Sequence, residues 1–327
     1  MTEFIHGRLP VTSIAAGGGL FTRPQALAAG VSDREIQRLV SSGEWRRIRR
    51  GVYIDAHTYE TMSPNRRHLV EVRSALLRVD GPAVASHWSA GVVHDLDMAE
   101  ADLSLVHLTR PELRSARIEA GVCHHRGALE ARTVCAAGGI AVTSVARTVL
   151  DLARLSSFDA GVVVADCGLR RGAKRSELVT ELLACRDWAG SRTASRVVAF
   201  ADGRSESPGE SLARVAFDEL RLPTPELQAV FRTRDGSVVA RTDFLFREYG
   251  TVVEFDGRRK YYRDLGNDAD PGEVVWREKL REDALREHFG LEVVRLTWTD
   301  LGPERRTQLA KRIRSAFSRA SASTRAA

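Results

Sequence analysis

The sequence predicts a mixed α/β protein, and three observations support that prediction. Segments with a helical spacing of apolar residues begin at Ser or Thr residues suited to capping helices. Short runs rich in β-branched and aromatic residues alternate with these segments. Hydrophobic residues make up 43% and charged residues 28% of the 327 residues, as in chains that build packed cores. At roughly 100–200 residues per domain, we predict three domains: a small N-terminal domain at 1–60, an α+β middle domain at 61–190 and an α/β sandwich at 200–320.

The N-terminal segment predicts two short helices separated by a glycine. Thr22 is a suitable N-cap for a helix at 23–29, and Gly30 occupies the position after it where a positive φ is usual. Ser32 caps a second helix at 33–41, whose apolar residues lie on one side. Two helices joined by a glycine-containing turn are typical of the helix-turn-helix, in which the second helix enters the major groove of DNA.

Polar residues cover the other side of the second helix, and arginines follow it. After Gly43 the run EWRRIRRGVYI predicts two strands joined by a basic turn. Helix side chains read bases, whereas arginines in such a turn suit phosphate contacts. The alternative is a small helical subdomain with a charged hairpin. The predicted DNA-binding residues are Arg34, Gln37, Arg38, Arg46, Arg47, Arg49 and Arg50.

The run GLFTRPQALAAGVSDREIQRLVSSGEWRRIRRGVYI resembles the N-terminal winged helix of the abortive-infection type IV antitoxins, the AbiEi family. Two later runs, ASHWSAGVVHDL and VTSVARTVLDLARL, are similar to helices of that family's second domain, so the resemblance extends over residues 15–185. It implies a winged helix-turn-helix that binds double-stranded operator DNA and represses its own operon, and it implies a cognate toxin as protein partner.

Among the histidines and cysteines of the middle domain, seven residues are candidate zinc ligands. Their spacing matches no standard zinc finger or knuckle, so we predict that they are structural residues rather than ligands. These residues are His87, His94, His107, His124, His125, Cys123 and Cys135.

The last third predicts the element order α-β-β-β-α-β of an α/β sandwich. Ser207 caps its first helix with Pro208 just inside, an N-terminal signal with a clear physical basis. Strands follow at LQAVFRT and VVARTDFLFRE, joined by a turn at Asp235–Gly236, and then at TVVEFDG. A helix at 274–289 and the strand LEVVRLTW complete the order. The preceding segment, 186–207, is rich in Ser, Arg and Gly and predicts a connection between domains.

Four carboxylates concentrate the chemistry of this region. Glu254 and Asp256 are two residues apart on one strand and therefore face the same side, with Asp243 on the neighbouring strand. Close carboxylates are costly unless a cation neutralises them, and their oxygens suit Mg²⁺, which can activate water for phosphodiester cleavage. Glu210 lies in the first turn of the preceding helix, and Lys260 is placed to supply positive charge to a transition state. The alternative is a set of acids paired with Arg258, Arg259 or Arg281.

The spacing D-x₁₀-E-x-D-G-x-x-K-Y, preceded by a helical Glu, resembles the very-short-patch-repair-like branch of the restriction-endonuclease superfamily over residues 205–302. The resemblance implies that Glu210, Asp243, Glu254 and Asp256 form a nuclease site, with Asp243, Glu254 and Asp256 as Mg²⁺ ligands. The sequence departs from the superfamily at one point, because its usual Lys two residues after the second acid is here Asp256. Lys260 or Lys279 would have to take that role.

Three functions remain open on the sequence alone. They are a DNA-binding, antitoxin-like transcriptional regulator with a nuclease-like domain, a Mg²⁺-dependent DNA endonuclease positioned by the winged helix, and an interaction protein whose sandwich docks a toxin. The net charge of +6, concentrated in the segment 303–327, suits a polyanionic partner or a solvated helix end equally. With no close cysteine pair, no secretory signal and no apolar run long enough to span a membrane, we expect a cytoplasmic protein without membrane contact.

Overall fold

The computed structural model describes residues 19–233, 235–257 and 271–326. It is a mixed α/β structure, which confirms the predicted fold class. The described residues fall into two compact units, the first within the ranges 1–96 and 100–152 and the second within the ranges 97–99 and 153–327. No helix in the described ranges combines the length and apolar character that crossing a bilayer requires.

The first unit begins with a small three-stranded antiparallel sheet and two helices packed beside it. Its elements are β1 (Phe21–Thr22), α1 (Arg23–Ala28), α2 (Asp33–Ser41), β2 (Trp45–Arg49), β3 (Val52–Asp55) and α3 (Ala56–Thr61). The caps act as predicted, since the Thr22 side chain accepts from the Gln25 amide and Ser32 Oγ accepts from the Glu35 amide. The two predicted helices and two predicted strands of this segment are thus confirmed.

The rest of the first unit is a six-stranded mixed sheet with helices packed on it. Its elements are α4 (Pro64–Leu76), β4 (Val84–Ala85), α5 (His87–Val93), β5 (Val106–Arg110), β6 (Arg117–Glu119), β7 (Val122–Arg126), β8 (Val134–Ala137), β9 (Ile140–Thr143) and α6 (Val145–Leu155), whose last three residues belong to the second unit. The strand order is β6-β7-β5-β4-β9-β8, with β5–β7 and β4–β9 parallel. The core joins Val72 and Ala90 of the helices to Leu108 and Val142 of the sheet.

The second unit opens with three helices, α7 (Phe158–Arg170), α8 (Arg175–Ala184) and α9 (Ser191–Phe200). Helix α9 lies within 186–207, the segment whose composition indicated a connection between domains. Its physical basis is an apolar stripe, because Ala194, Val197 and Val198 are buried at helical spacing among Ser and Arg residues. The composition of the segment hid that stripe.

A four-stranded sheet with helices around it completes the second unit. Its elements are α10 (Pro208–Glu219), β10 (Glu226–Arg232), β11 (Val238–Phe246), β12 (Thr251–Phe255), α11 (Pro271–Phe289), β13 (Glu292–Leu296) and α12 (Arg306–Ala326). The strand order is β10-β11-β12-β13, antiparallel except for the parallel pair β12–β13. The predicted order α-β-β-β-α-β is therefore confirmed.

Aromatic side chains fill the core of this sheet. Phe217 of α10 meets Phe244 of β11 edge to face, with ring centroids 5.1 Å apart. Helix α12 buries Ile313 and Phe317 against the same core, and the Phe317 ring lies 5.1 Å from that of Phe246. The basic helix thus packs along one side, which leaves its charged residues on the other.

Candidate functional site

Helix α2 is held in place by a cluster of aromatic rings beneath it. Ile36 is 4% exposed and packs with Phe21, whose ring centroid lies 4.5 Å from that of Trp45 and 6.0 Å from that of Tyr53. Gly30 begins the turn before α2 with a φ of 88°, a conformation that costs glycine little. The helix is therefore anchored through one side, with its other side in solvent.

The outer side of α2 presents Arg34, Gln37 and Arg38, all exposed as predicted. Their spacing places them on adjacent turns of one helical face. The Arg38 guanidinium contacts Glu35 Oε1 at 2.7 Å and Glu44 Oε1 at 3.2 Å. The hydrogen bond from Arg38 lowers the pKa of the Glu35 carboxyl. Exposed pairs of this kind contribute little stability, so Arg38 can exchange these acids for another anion at low cost.

The hairpin β2–β3 carries the other predicted DNA-binding arginines. Arg46, Arg47 and Arg50 are exposed, and the Arg46 guanidinium lies 4.6 Å from the centre of the Tyr59 ring. This contact fixes the orientation of Arg46 while leaving it in solvent.

Arg49 lies differently from the other hairpin arginines. It donates to Ala120 O at 2.6 Å and to Ser74 Oγ at 3.1 Å, and it lies 3.8 Å from Glu71. The register shift between Arg47 and Arg49 explains its direction, since a bulge re-aims the side chain that follows it. Because its guanidinium bonds within the first unit, we leave Arg49 out of the candidate DNA-binding surface.

Glu210 is 3% exposed at the start of α10 and both of its oxygens are in hydrogen bonds. Oε1 accepts from Ser207 Oγ at 2.7 Å, while Oε2 accepts from the Glu206 amide at 2.8 Å and from Gln228 Nε2 at 2.9 Å. The predicted Ser207 cap is confirmed, because Ser207 Oγ also accepts from the Glu210 amide. Glu210 therefore joins the beginning of α10 to strand β10.

Asp243 of β11 and Glu254 of β12 lie on adjacent strands. Each is one residue beyond the paired residues Phe244 and Val253. Asp243 Oδ2 accepts from the Phe255 amide at 2.8 Å. Both oxygens of Glu254 accept from Arg281 of α11, at 2.7 and 2.8 Å. This bidentate pair is the arginine pairing that the sequence left open, and it neutralises the most buried acid of the two strands.

Asp256 follows the end of β12, where its amide donates to Leu296 O at 2.7 Å. Its Oδ1 is buried and has no hydrogen-bond partner among the described residues. Lys260 lies outside those residues, and Lys279 is exposed on α11. In the described part of the chain these acids do not form a group of three ligand atoms within 4.8 Å. Their binding of Mg²⁺ stays a prediction.

Gln228 is a residue of this region that the sequence interpretation missed. It adopts a φ of 55° within β10, between the paired residues Leu227 and Ala229. A left-handed φ in a non-glycine residue costs energy and often occurs at functional sites. Its amide reaches Glu210, and no short-range sequence signal announces that contact.

Three of the five histidines named above as candidate ligands come together in the first unit. Ring nitrogens of His87, His107 and His125 lie within 4.8 Å of one another, a convergence that spacing along the chain did not predict. His94 is used differently, since its Nε2 lies 2.7 Å from Thr143 O. His124 is buried one position before His125, on the other face of β7.

Known proteins similar to this chain support part of the sequence interpretation. Residues 9–54 match a family described as "Transcriptional regulator, AbiEi antitoxin". Two uncharacterized proteins of Mycobacterium tuberculosis, MT2308 and Rv2248, are each 29% identical over 225 residues, covering 68% of this chain and 78% of each relative. The crystal structure of the RV2827C protein from M. tuberculosis has a TM-score of 0.40 and 14% identity, over 71% of this chain and 92% of that one. The family match contains α1, α2 and the hairpin, and it suggests an antitoxin-type transcriptional regulator.

Proposed function

We propose that this protein is a DNA-binding transcriptional regulator of the antitoxin type, whose winged helix recognises an operator through α2. The observation that carries the proposal is the exposed face Arg34, Gln37 and Arg38 on a helix anchored by an aromatic core. A rigid helix with three long polar side chains on one face suits the major groove, where arginine and glutamine make bidentate contacts with base edges. The family match over residues 9–54 supports the same function.

The two groups of basic side chains have different roles in this proposal. Arg34, Gln37 and Arg38 read bases, whereas Arg46, Arg47 and Arg50 of the hairpin contact phosphates and fix the register. Arg38 leaves Glu35 and Glu44 when it meets DNA, and because all three side chains are solvent-exposed this exchange is cheap. The cognate toxin is the protein partner that the antitoxin likeness implies.

A binding experiment separates the two roles. The full-length protein is titrated with labelled duplexes from the region upstream of its own gene and with a scrambled duplex, at several salt concentrations. The double substitution Arg34→Ala/Arg38→Ala is expected to remove the preference for the upstream duplex. Arg46→Ala/Arg50→Ala is expected to weaken binding to both duplexes and to reduce the slope of log K against log salt by about 0.9 for each phosphate that is no longer neutralised.

A charge-matched control shows whether these effects are local. Arg186→Ala/Arg192→Ala removes two exposed arginines of the second unit and is expected to leave the preference unchanged. If wild-type protein shows no preference for any upstream duplex, operator recognition is wrong. If the control behaves like Arg34→Ala/Arg38→Ala, the effect is one of net charge and the base-reading role of α2 is wrong.

A second function is proposed for the acidic end of the second sheet, a Mg²⁺-dependent DNA endonuclease. The observation that favours it is Asp256 Oδ1, a buried acceptor without a hydrogen-bond partner in the described residues, next to the strands that carry Asp243 and Glu254. Carboxylate oxygens of this kind are the donors that Mg²⁺ prefers, and the bound ion supplies activated water and charge neutralisation. Asp243 and Asp256 would hold the ion, with Glu254 joining them on release from Arg281.

Nicking of supercoiled plasmid tests this second function. Wild-type protein with Mg²⁺ is expected to convert supercoiled into open-circular plasmid, and Asp243→Asn and Glu254→Gln are expected not to. Glu226→Gln, which alters an exposed acid on β10 paired with Arg247, is the matched control and is expected to nick normally. Wild-type protein that leaves the plasmid intact, or equal nicking by Asp243→Asn, would refute the endonuclease and leave the regulator proposal untouched.

A further inference from the structure

We propose that His87, His107 and His125 form a binding site for a divalent transition-metal ion of the zinc type, with a fourth position on the solvent side. The three side chains offer ring nitrogens that lie within 4.8 Å of one another. This site lies at the six-stranded sheet of the first unit, and none of its residues belongs to α2 or to the acids of the second sheet. The inference therefore goes beyond the regulator function and does not depend on it.

Sheet topology brings the three residues together. Strands β7, β5 and β4 are neighbours, and Thr109 of β5 pairs with His125 of β7. His107 is two residues before Thr109, so its side chain lies on the same face of the sheet as that of His125. His87 follows β4 closely, and the amide of the intervening Ser86 donates to His107 O at 3.0 Å. Two adjacent strands and the start of the helix after a third thus each contribute one imidazole to one place.

One pair of ring nitrogens lies close to the spacing of a metal-bound pair. His107 Nδ1 and His125 Nε2 are 2.9 Å apart, and the His87 and His125 rings are stacked with centroids 3.6 Å apart. Two nitrogens bound tetrahedrally at about 2.0–2.1 Å from Zn²⁺ are about 3.3–3.4 Å apart. Metal binding would therefore widen the His107–His125 contact by about 0.4–0.5 Å and turn the three rings toward a common point. The proton of the present hydrogen bond would move to the other nitrogen of the donor ring, so that both facing nitrogens could bind the ion.

The backbone also holds His87 in an uncommon conformation. Its φ is 51°, in the left-handed region that a residue with a side chain adopts only at an energetic cost. The residue is nonetheless buried at the first position of α5, with its ring over His125. Uncommon backbone conformations of this kind are concentrated at functional sites, which supports a role for this histidine beyond packing.

A neighbouring hydroxyl group can orient one of the three rings. Ser86 Oγ lies 3.0 Å from His87 Nδ1, where it can orient the ring from behind.

The ligand set and its exposure indicate the type of ion. Three imidazoles suit Zn²⁺, Co²⁺, Ni²⁺ or Cu²⁺, whereas Mg²⁺ and Ca²⁺ prefer oxygen donors. His87 is buried but His107 and His125 are partly exposed, which leaves one side open to water. A site with three protein ligands and one open position is the arrangement that zinc adopts where water or a small anion completes its coordination.

Metal titration of the full-length protein tests this site. The protein is stripped with a chelator and titrated with Zn²⁺ alone, and separately with Co²⁺ alone. We expect one equivalent of Zn²⁺ to bind per chain, and we expect Co²⁺ to develop the visible absorption of a four-coordinate ion. His107→Gln and His125→Gln are each expected to weaken Zn²⁺ binding roughly tenfold or more. His57→Gln, an exposed histidine on α3, and His288→Gln, an exposed histidine on α11, are expected to bind as wild type does.

Two outcomes of the titration would overturn the site. The site would be refuted if wild-type protein showed no saturable Zn²⁺ binding. It would also be refuted if His125→Gln bound Zn²⁺ as wild type does while His57→Gln or His288→Gln lost Zn²⁺ binding. The number of imidazole ligands can also be counted in folded wild-type protein, so this test does not depend on whether the variants fold. In the Co²⁺ form, three imidazoles should show strongly shifted proton NMR signals, and fewer than three would contradict the site.

Discussion

The ion pair between Glu254 and Arg281 is expected to stabilise the second unit, and its removal tests whether the acidic end of the sheet is balanced by arginine. The side chains are 11% and 26% exposed, and two charge-assisted hydrogen bonds join them. Removing one partner of a fully buried pair costs about 3–5 kcal/mol. Because Arg281 remains partly in solvent, we reduce the expected cost of Arg281→Met to about 2 kcal/mol.

A double-mutant cycle measures the interaction itself. Urea unfolding of wild type, Arg281→Met, Glu254→Gln and the double variant gives the four free energies, and a coupling of about 1–2 kcal/mol is expected between residues in contact. Arg281→Met leaves Glu254 uncompensated beside Asp243, so Mg²⁺ is expected to raise its unfolding midpoint more than that of wild type. Arg186→Met, which alters an exposed arginine, is the control and is expected to change stability little.

Two results would refute this reasoning. A coupling near zero would mean that the pair contributes no net stability despite its geometry. An unchanged free energy of unfolding in Arg281→Met would mean that another cation or water compensates Glu254. In either case the arrangement of acids and arginine would not explain how the carboxylates coexist on adjacent strands.

Three further predictions concern the rest of the chain. Ile36→Ala removes the buried side chain of α2 and is expected to lower the free energy of unfolding, measured in urea, by about 3 kcal/mol. The same variant is expected to bind DNA more weakly in a duplex titration. Leu27→Ala, on the exposed side of α1, is the control and should lower the free energy of unfolding far less. Gly190→Ala would place a Cβ against the Arg154 carbonyl at a φ of 80°, so its thermal midpoint is expected to fall by several degrees, and an unchanged midpoint would show that the turn can relax. Burial lowers the pKa of His68 to about 4 from an ordinary value of 6.5, so between these values the unfolded state binds a proton that the folded state does not, and stability falls as the pH drops from about 6.5 toward 4. The free energy of unfolding is expected to decrease by about 2 kcal/mol between pH 7.5 and 5 for this reason. His68→Gln should remove that decrease from the pH dependence of unfolding.

The features that the sequence predicted correctly are local ones. Ser32 and Ser207 cap helices because a hydroxyl reaches an amide three residues away, and that signal lies within one turn of sequence. The order of strands and helices in the second unit also follows from short-range patterns. These signals were enough for the mixed α/β class and for the exposed face of α2.

The features that the sequence could not predict depend on contacts between distant residues. Arg281 reaches Glu254 from 27 positions away, and Arg49 turns inward to Ala120 over 71 positions. The histidine cluster requires the strand order β7-β5-β4, which no spacing rule supplies. The alternation of side chains along a strand fixes which side a residue faces. Which strands become neighbours is decided by the packing of the whole sheet.

The bonds of Glu210 have a mechanical consequence. One carboxylate closes the first turn of α10 through Ser207 and the Glu206 amide, and it holds Gln228 on strand β10. Any ligand that drew this carboxylate away would loosen the helix entrance and the strand edge in the same event. Binding of a ligand by Glu210 itself would then be reported by faster amide exchange at Glu206, whose amide would lose its acceptor.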